Sequence, residues 1–211
     1  MIIAIDAAST DLSVALADPD GTLILDDGWT SAQRQSAELL PHLLELLGRA
    51  GRSLRDTSAV AVGIGPGSFT GLRVGLALGK GLALALDRPI LGVPSLQGWL
   101  SAHTDAAVAL ARAGAREAYL LPRGEESAQI VDRDALTALV AGARIVAPAE
   151  LAAAFGLVGA ESPRAAGALA ALAASRLGAE ASGDDLRTLE PLYVRPPRGL
   201  STESQGEVRW L

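Results

Sequence analysis

Short apolar runs broken by turn residues set the first elements of the chain. Residues 2–6 are apolar up to Asp6, and the small polar turn Ala7-Ala8-Ser9-Thr10 separates them from a second run at 12–17. Asp18-Pro19-Asp20-Gly21 is a strong turn signal before a third run at 22–25, so the pattern predicts an antiparallel three-stranded meander. Leucines at helical spacing then predict a helix over about 37–49, closed near Gly51. A strand at 59–64, a helix at 69–86, a strand at 90–93 and a helix from Ser95 to about Ala102 complete a β-β-β-α-β-α-β unit of the α/β class. Beyond it the periodicity weakens. Strands are expected at 106–111, 117–121, 127–131 and 145–147, and helices at 135–141, 150–155 and 164–177. These readings place a boundary at residue 104. Residues 1–104 form an N-terminal lobe and 105–211 a smaller C-terminal α/β lobe, whose tail over about 196–211 is expected to be mobile.

Two of the helices carry more than one sheet contact uses. In the first, Leu40, Leu43, Leu44 and Leu47 make one stripe, and Leu39, Leu43, Leu46 and Ala50 make a second beside it. A helix lying on a sheet needs one such face. The second points either to a partner or to a helix sunk deep in its own lobe. In the second helix, Gly71, Gly75 and Gly79 recur at a spacing of four and share one groove. An interior helical glycine costs about 1 kcal/mol relative to alanine, so something approaches this backbone closely, either its own sheet or another subunit. Leu39, Leu43, Leu46, Ala50, Gly71, Leu72, Gly75 and Gly79 are the candidate residues for a subunit interface, with packing inside their own lobe the open alternative.

Composition narrows the function classes. With 211 residues, 49% hydrophobic and 20% charged, the chain has material for a true core and is not a disordered polymer. The net charge is -6, Lys80 is the only lysine, and the nearest thing to a basic patch is Arg49, Arg52 and Arg55. Tight autonomous nucleic-acid binding needs clustered cations, so it is not expected. Cysteine is absent, which removes disulfides, thiolate metal sites and a cysteine nucleophile. The first residues already read as a strand, so no signal peptide is expected. The apolar run at 72–86 is broken by Arg73 and Lys80 and reads as too short to span a bilayer. A soluble cytoplasmic protein is expected.

Several chemistries can be tested against spacing. The turn Gly65-Pro66-Gly67, between a strand and a helix start, could cradle a phosphate on backbone N–H groups. Around Lys80 the spacing of a P-loop is wrong, because Gly81 follows the lysine in mid-helix. A dinucleotide site wants an acid at the end of the next strand, where Val93-Pro94-Ser95-Leu96-Gln97 has none. The opening hairpin with Asp6, Ser9 and Thr10 in its turn resembles the first phosphate hairpin of actin-like ATPases, but residues 106–119 offer no aspartate for a second. His42 and His103 are the only histidines and do not form a metal-spaced pair. Ser68 lacks the Gly-x-Ser-x-Gly elbow, since Phe69 and Thr70 follow it.

The run Gly-Pro-Gly-Ser-Phe-Thr-Gly-Leu-Arg-Val-Gly at 65–75, with Gly79-Lys80-Gly81-Leu82-Ala83 and Gly92-Val93-Pro94-Ser95-Leu96, closely resembles the bacterial TsaB (YeaZ) family. Ile5 to Thr10, Arg34 to Pro41, and Pro191-Leu192-Tyr193-Val194-Arg195 fit the same pattern. The resemblance implies an actin-like, ribonuclease-H-like two-lobed fold with mixed sheets flanked by helices. It implies a non-catalytic paralogue of TsaD that acts as scaffold and activator for threonylcarbamoyl transfer to the tRNA adenosine next to the anticodon. The implied partners are a TsaD-like catalytic subunit, a TsaE-like ATPase and, for the chain alone, a second copy; tRNA is met only through the complex, and no membrane is involved. The alternative class is an enzyme active on its own, an actin-like ATPase or a glycoprotease. On the catalytic paralogue's His-x-x-x-His pattern, Ser95 and Trp99 fall at the two metal-ligand positions, so no metal is expected. Asp6, Ser9, Thr10, Gly65 and Gly67 become vestigial phosphate loops. No cofactor is expected within the chain, with room for a nucleotide at the shared interface. Two positions depart from the family: Ser36 stands where His is frequent, and the Asp-Ala-Arg segment is unclear before Tyr119.

Overall fold

The computed structural model describes residues 1–180 and 182–194. Strands β1 (Ile2–Asp6), β2 (Asp11–Ala17), β3 (Leu23–Thr30), β4 (Ala59–Gly63) and β5 (Ile90–Val93) form one sheet in the order β3-β2-β1-β4-β5. The meander β1–β2–β3 is antiparallel, whereas β4 and β5 run parallel to β1. β1, β2 and β4 are buried along their whole length, which is why they read as unbroken apolar runs. β3 extends five residues beyond its expected end, pairing Thr30 with Asp11 and Trp29 with Leu12. Its second half, Asp26-Asp27-Gly28-Trp29-Thr30, lacks an apolar run because it lies at the sheet edge, where charge deters unwanted strand pairing.

Alternation along these strands supplies two apolar faces. Ile3, Ile5, Val14, Leu16, Val60 and Val62 lie on one, under helices α1 (Gln35–Arg49) and α2 (Phe69–Leu86). Ile2, Ala4, Ala15, Ala17, Ala59 and Ala61 lie on the other, under α6 (Ala166–Glu180). Residues 182–194 then run back along the same lobe. Asp184 N–H donates to Ile90 O, Leu192 N–H donates to Ile64 O, and Leu189 packs at the core. The expected division at residue 104 therefore needs correction. The chain crosses to a second lobe and returns, because nothing in the first 104 residues covers the alanine-rich face of the first sheet. The expected tail at 196–211 lies outside the described residues.

The second lobe repeats the topology of the first. Strands β6 (Val108–Arg112), β7 (Glu117–Pro122), β8 (Gln129–Asp132) and β9 (Ile145–Val146) lie in the order β8-β7-β6-β9, again a meander with one parallel neighbour. Short helices α4 (Arg133–Leu139) and α5 (Ala149–Phe155) flank it. Helix α3 (Ser95–Ala102) leads into this lobe, and its Trp99 joins a core shared by both lobes, with Ala8 and Leu72 on one side and Ala109, Leu121 and Val146 on the other. Arg123 clasps the crossing, donating to the carbonyls of Leu100, His103 and Ala106 at 2.8, 2.6 and 2.7 Å.

The interface residues read from the sequence also need correction. Leu39, Leu43, Leu46 and Leu72 are buried against their own sheet, and Ala50 is partly buried at the same core. The glycine groove faces inward as well. A Cβ at Gly71 would strike the Ala7 carbonyl, one at Gly79 would strike Val62, and one at Gly75 would sit 3.2 Å from the Ala7 methyl. The close-approaching element is thus the β1–β2 turn and the sheet beneath α2. Among the described residues α2 is also the one helix long and apolar enough to cross a bilayer by length and composition, contrary to the expectation for 72–86. Its Leu72, Leu76, Leu82 and Ala83 are core contacts, so here it is a helix packed on a sheet.

Candidate functional site

β1 ends by placing Asp6 where β4 also ends, at the start of α3. The carboxylate is buried, and three donors converge on it. Trp99 Nε1 donates to Oδ2 at 2.6 Å, Ser95 Oγ donates to Oδ1 at 3.0 Å, and Ala8 N–H donates to Oδ1 at 3.2 Å. Ser95 Oγ in turn accepts from Gly65 N–H at 3.1 Å. Ser95 and Trp99 are one helical turn apart on α3, so both reach the same carboxylate. Gly63 makes the room, since a Cβ there would strike both the Asp6 carboxylate and Ser95 Oγ. Burial pushes the Asp6 carboxyl above its ordinary value of 3.8, against the opposing pull of the bonds from Trp99 and Ser95.

The sequence reading singled out Asp6, Ser95, Trp99 and Gly65 separately, and the structure brings them into one hydrogen-bonded niche. The niche does not fit a metal. Its donors are one carboxylate, one hydroxyl already used twice and one indole N–H with no lone pair to give. Nor do the described residues contain any group of three or more His, Cys, Asp or Glu side chains placed to hold one.

The phosphate-loop residues are likewise engaged with their own chain. Gly67 lies against the Ala8 carbonyl, which accepts from Ser68 N–H at 2.7 Å. Ser68 Oγ caps α2 by accepting from Gly71 N–H at 3.2 Å, the role that explains this serine. Ser9 Oγ closes its own turn, accepting from Asp11 N–H and donating to Asp11 O, each at 3.0 Å. Thr10 faces the cleft between the lobes, a space of about 1160 Å³. The hairpin tip opposite, Ala113 to Arg116, is closed by N–H bonds from Ala113 and Gly114 to Glu117 O. As the sequence indicated, it carries no aspartate.

The outer surfaces of α1 and α2 are built differently. Facing away from the sheet, α1 shows Ala37, Leu40, Pro41, Leu44 and Gly48, with Leu44 48% exposed. Beside it α2 shows Ala77, Gly81, Ala85 and Leu84, the last 75% exposed, with Val74 and Leu78 partly buried against the core. These residues fall at i, i+3, i+4 and i+7 spacing, a second apolar stripe opposite the one that packs on the sheet. Of the two leucine stripes in the sequence, one holds the core. Leu40 and Leu44 of the other are left half-exposed.

Three features were missed from the sequence. Asp11, 4% exposed, ties the lobes together by accepting from Thr30 Oγ1 at 2.7 Å and from Ala149 N–H of α5 at 3.3 Å. Asp184 accepts from Gly92 N–H at 2.7 Å and pairs with Arg176, anchoring the returning segment. At the mouth of the cleft Arg73 lies 3.8 Å over the exposed Phe69 ring and donates from Nε to Tyr193 Oη at 3.2 Å. No periodicity announces contacts between residues this far apart. The two histidines are side-chain partners: His42 stacks on Trp29 and lies 2.7 Å from Asp27, and His103 lies 2.8 Å from Glu161.

Comparison with known proteins adds the following. A sequence model of the family "TsaD: tRNA N6-adenosine threonylcarbamoyltransferase" matches residues 30–180. The tRNA threonylcarbamoyladenosine biosynthesis protein TsaB of Escherichia coli is 42% identical over 96 residues, which are 45% of this chain and 40% of that protein. The chain thus spans less than half the length of the curated relatives it matches. YeaZ from Pseudomonas aeruginosa superposes with a TM-score of 0.67 at 24% identity, covering 92% of this chain and 99% of that one. An activator of 2-hydroxyisocaproyl-CoA dehydratase from Clostridium difficile, with bound ADPNP, gives 0.54 at 11% identity over 87% of this chain and 99% of that one. The fold is the actin-like, ribonuclease-H-like one, with two mixed sheets flanked by helices.

Proposed function

Because this chain belongs to the TsaD family, the tRNA N6-adenosine threonylcarbamoyltransferases, we propose that it serves threonylcarbamoyl-adenosine formation as a non-catalytic subunit. In this reading it docks on a TsaD-type catalytic subunit through the outer face of α1 and α2. It works in the cytoplasm with a TsaE-type ATPase, and self-associates through the same face when alone. It meets tRNA only through the assembly. The observation that carries the reading is the pairing of two states in one lobe. Asp6 is enclosed by Trp99 and Ser95, while Leu40 and Leu44 stand half-exposed and Leu84 largely exposed on neighbouring helices. Exposed leucines on two packed helices are the kind of apolar surface that a partner covers. A nucleotide at the joint interface remains compatible with the open cleft, and no cofactor is assigned within the chain.

A reconstituted transfer assay tests this. Catalytic subunit and ATPase should modify tRNA only when this chain is added. The Leu44→Glu, Leu84→Glu double variant should fail to support the reaction, although its melting temperature matches wild type. Full modification without the chain, or turnover of ATP by the chain alone that Asp6→Ala abolishes, would instead favour an independent enzyme.

A further inference from the structure

Helix α2 carries two charged side chains, Arg73 and Lys80, both cations. Neither is paired with an acid among the described residues. Arg73 is exposed, yet it is held in place. Its guanidinium lies 3.8 Å over the ring of Phe69, one helical turn before it, and its Nε donates to Tyr193 Oη at 3.2 Å. The two rings are themselves 5.9 Å apart and tilted by 41°. Aromatic groups thus fix one face and one N–H of the guanidinium without neutralising it. The four N–H donors on its terminal nitrogens meet no other described residue. In the free chain water serves them. Tyr193 accepts from Nε, so its own hydroxyl proton is also left to give.

Position indicates what replaces that water. Phe69, Thr70 and Tyr193 line the cleft between the lobes, whereas Arg73 does not. It lies on the exposed side of α2 with Thr70, Ala77, Gly81 and Leu84, at spacings of three and four. From Arg73 to Leu84 the helix rises only about 16 Å, within the span of an ordinary protein interface. A body that covers Leu84 and Ala77 therefore also reaches Arg73. A phosphate backbone needs clustered cations and would meet two separated ones among apolar neighbours. A protein surface would meet an apolar patch edged by an arginine that aromatic rings hold ready, the composition of an interface anchor.

We propose that Arg73, backed by Phe69 and Tyr193, is the anchor that receives a carboxylate, an Asp or Glu side chain, of the subunit docked on α1 and α2. The edge of the guanidinium matches both carboxylate oxygens, a fit that lysine cannot reproduce. Because the arginine is already positioned, less side-chain freedom is lost on binding. The partner rests on the docking reading above; the carboxylate rests on the Arg73 cluster.

Binding of a TsaD-type subunit to the full chain, followed by calorimetry at low and high salt, tests this. Arg73→Gln should bind roughly tenfold more weakly or worse, with a smaller salt dependence and an unchanged melting temperature. Arg73→Lys should restore little of the loss. Alanine replacement of the partner's acids should reveal one whose effect vanishes in the Arg73→Gln background. The inference is overturned if Arg73→Gln binds as wild type or if no acid couples to Arg73. It is equally overturned if Arg73→Gln weakens only tRNA association with the assembly, or only self-association of the chain. Binding that the Leu44→Glu, Leu84→Glu variant loses and Arg73→Gln keeps sinks the anchor and spares the docking reading. Binding that Arg73→Gln loses and the leucine variant keeps supports the anchor and sinks the apolar face. If the wild-type chain binds no such subunit, both fall.

Discussion

The Asp6 niche and the outer face of α1 and α2 lie in the same lobe and have opposite physical character. In the niche every polar atom is answered from within: a carboxylate by an indole, a hydroxyl and a backbone N–H. On the helical face Leu40 and Leu44 are half-exposed and Leu84 is 75% exposed, so apolar area whose further burial would be stabilising is left in solvent. A self-sufficient polar centre beside an unsatisfied apolar surface indicates where the molecule needs a partner and where it does not. Each end of that contrast can be broken separately.

The largest effect should come from emptying the niche. Trp99→Ala removes a fully buried ring from the core shared by both lobes and should cost about 3–5 kcal/mol, read by urea denaturation. Trp99→Phe keeps most of the volume but removes the 2.6 Å donor to Asp6. Asp6 then loses support for its ionised form, so its already raised pKa rises further. A raised folded-state pKa gives stability that is complete below the ordinary value of 3.8 and lost as pH climbs through the folded value. The deficit of Trp99→Phe relative to wild type should therefore be greater at pH 7 than at pH 4. Equal deficits at both pH values would show that Asp6 is not the titrating group.

Leu44→Glu tests the other end. With Leu44 half in water, the change should leave stability within about 0.5 kcal/mol, yet weaken partner binding by about 2 kcal/mol or more. Leu43→Glu, one position away, should unfold the lobe because Leu43 is wholly enclosed. If both variants destabilise alike, the two faces of α1 are not distinct.

Smaller effects sharpen the boundary between core and surface. Burial would raise the Asp184 carboxyl, but the bonds from Arg176 and Gly92 outweigh it and hold the group below 3.8. Its stabilisation is thus present above that value and disappears as pH falls through the folded one. Asp184→Asn should cost about 1.5 kcal/mol at neutral pH and progressively less as pH falls below 3.8, in matched denaturation curves. Least of all, Gly81→Ala should stabilise the chain by about 1 kcal/mol, since a Cβ there meets nothing within 4 Å. The same change at Gly79 should destabilise, because Val62 occupies that space.

The contrast between Gly79 and Gly81 also shows what the sequence could and could not convey. The spacing of Gly71, Gly75 and Gly79 correctly signalled close approach, but a period reports that a face is special and not which body meets it. The sheet below and a subunit above impose the same spacing. The meander, α1, α2 and the parallel strands were legible because burial on both faces writes long apolar runs. The ends of β3 were not, because an edge strand needs no such run. The return of α6 to the first sheet was hidden because an alanine-rich helix fits either lobe, and only the uncovered alanines of β1, β2 and β4 select one. The motif residues Asp6, Ser95 and Trp99 were visible one by one. That they form a single closed network depends on the 89- and 93-residue separations across which they meet.

The central claim is that the outer face of α1 and α2 docks a catalytic subunit of the same family. Hydrogen–deuterium exchange on the full chain, with and without a TsaD-type subunit, tests it most directly. The account predicts slowed exchange confined to α1, α2 and the cleft mouth at Phe69–Arg73, with α6 and the second-lobe sheet unchanged. Protection elsewhere with α1 and α2 unaffected, or no protection at saturating partner, would contradict it.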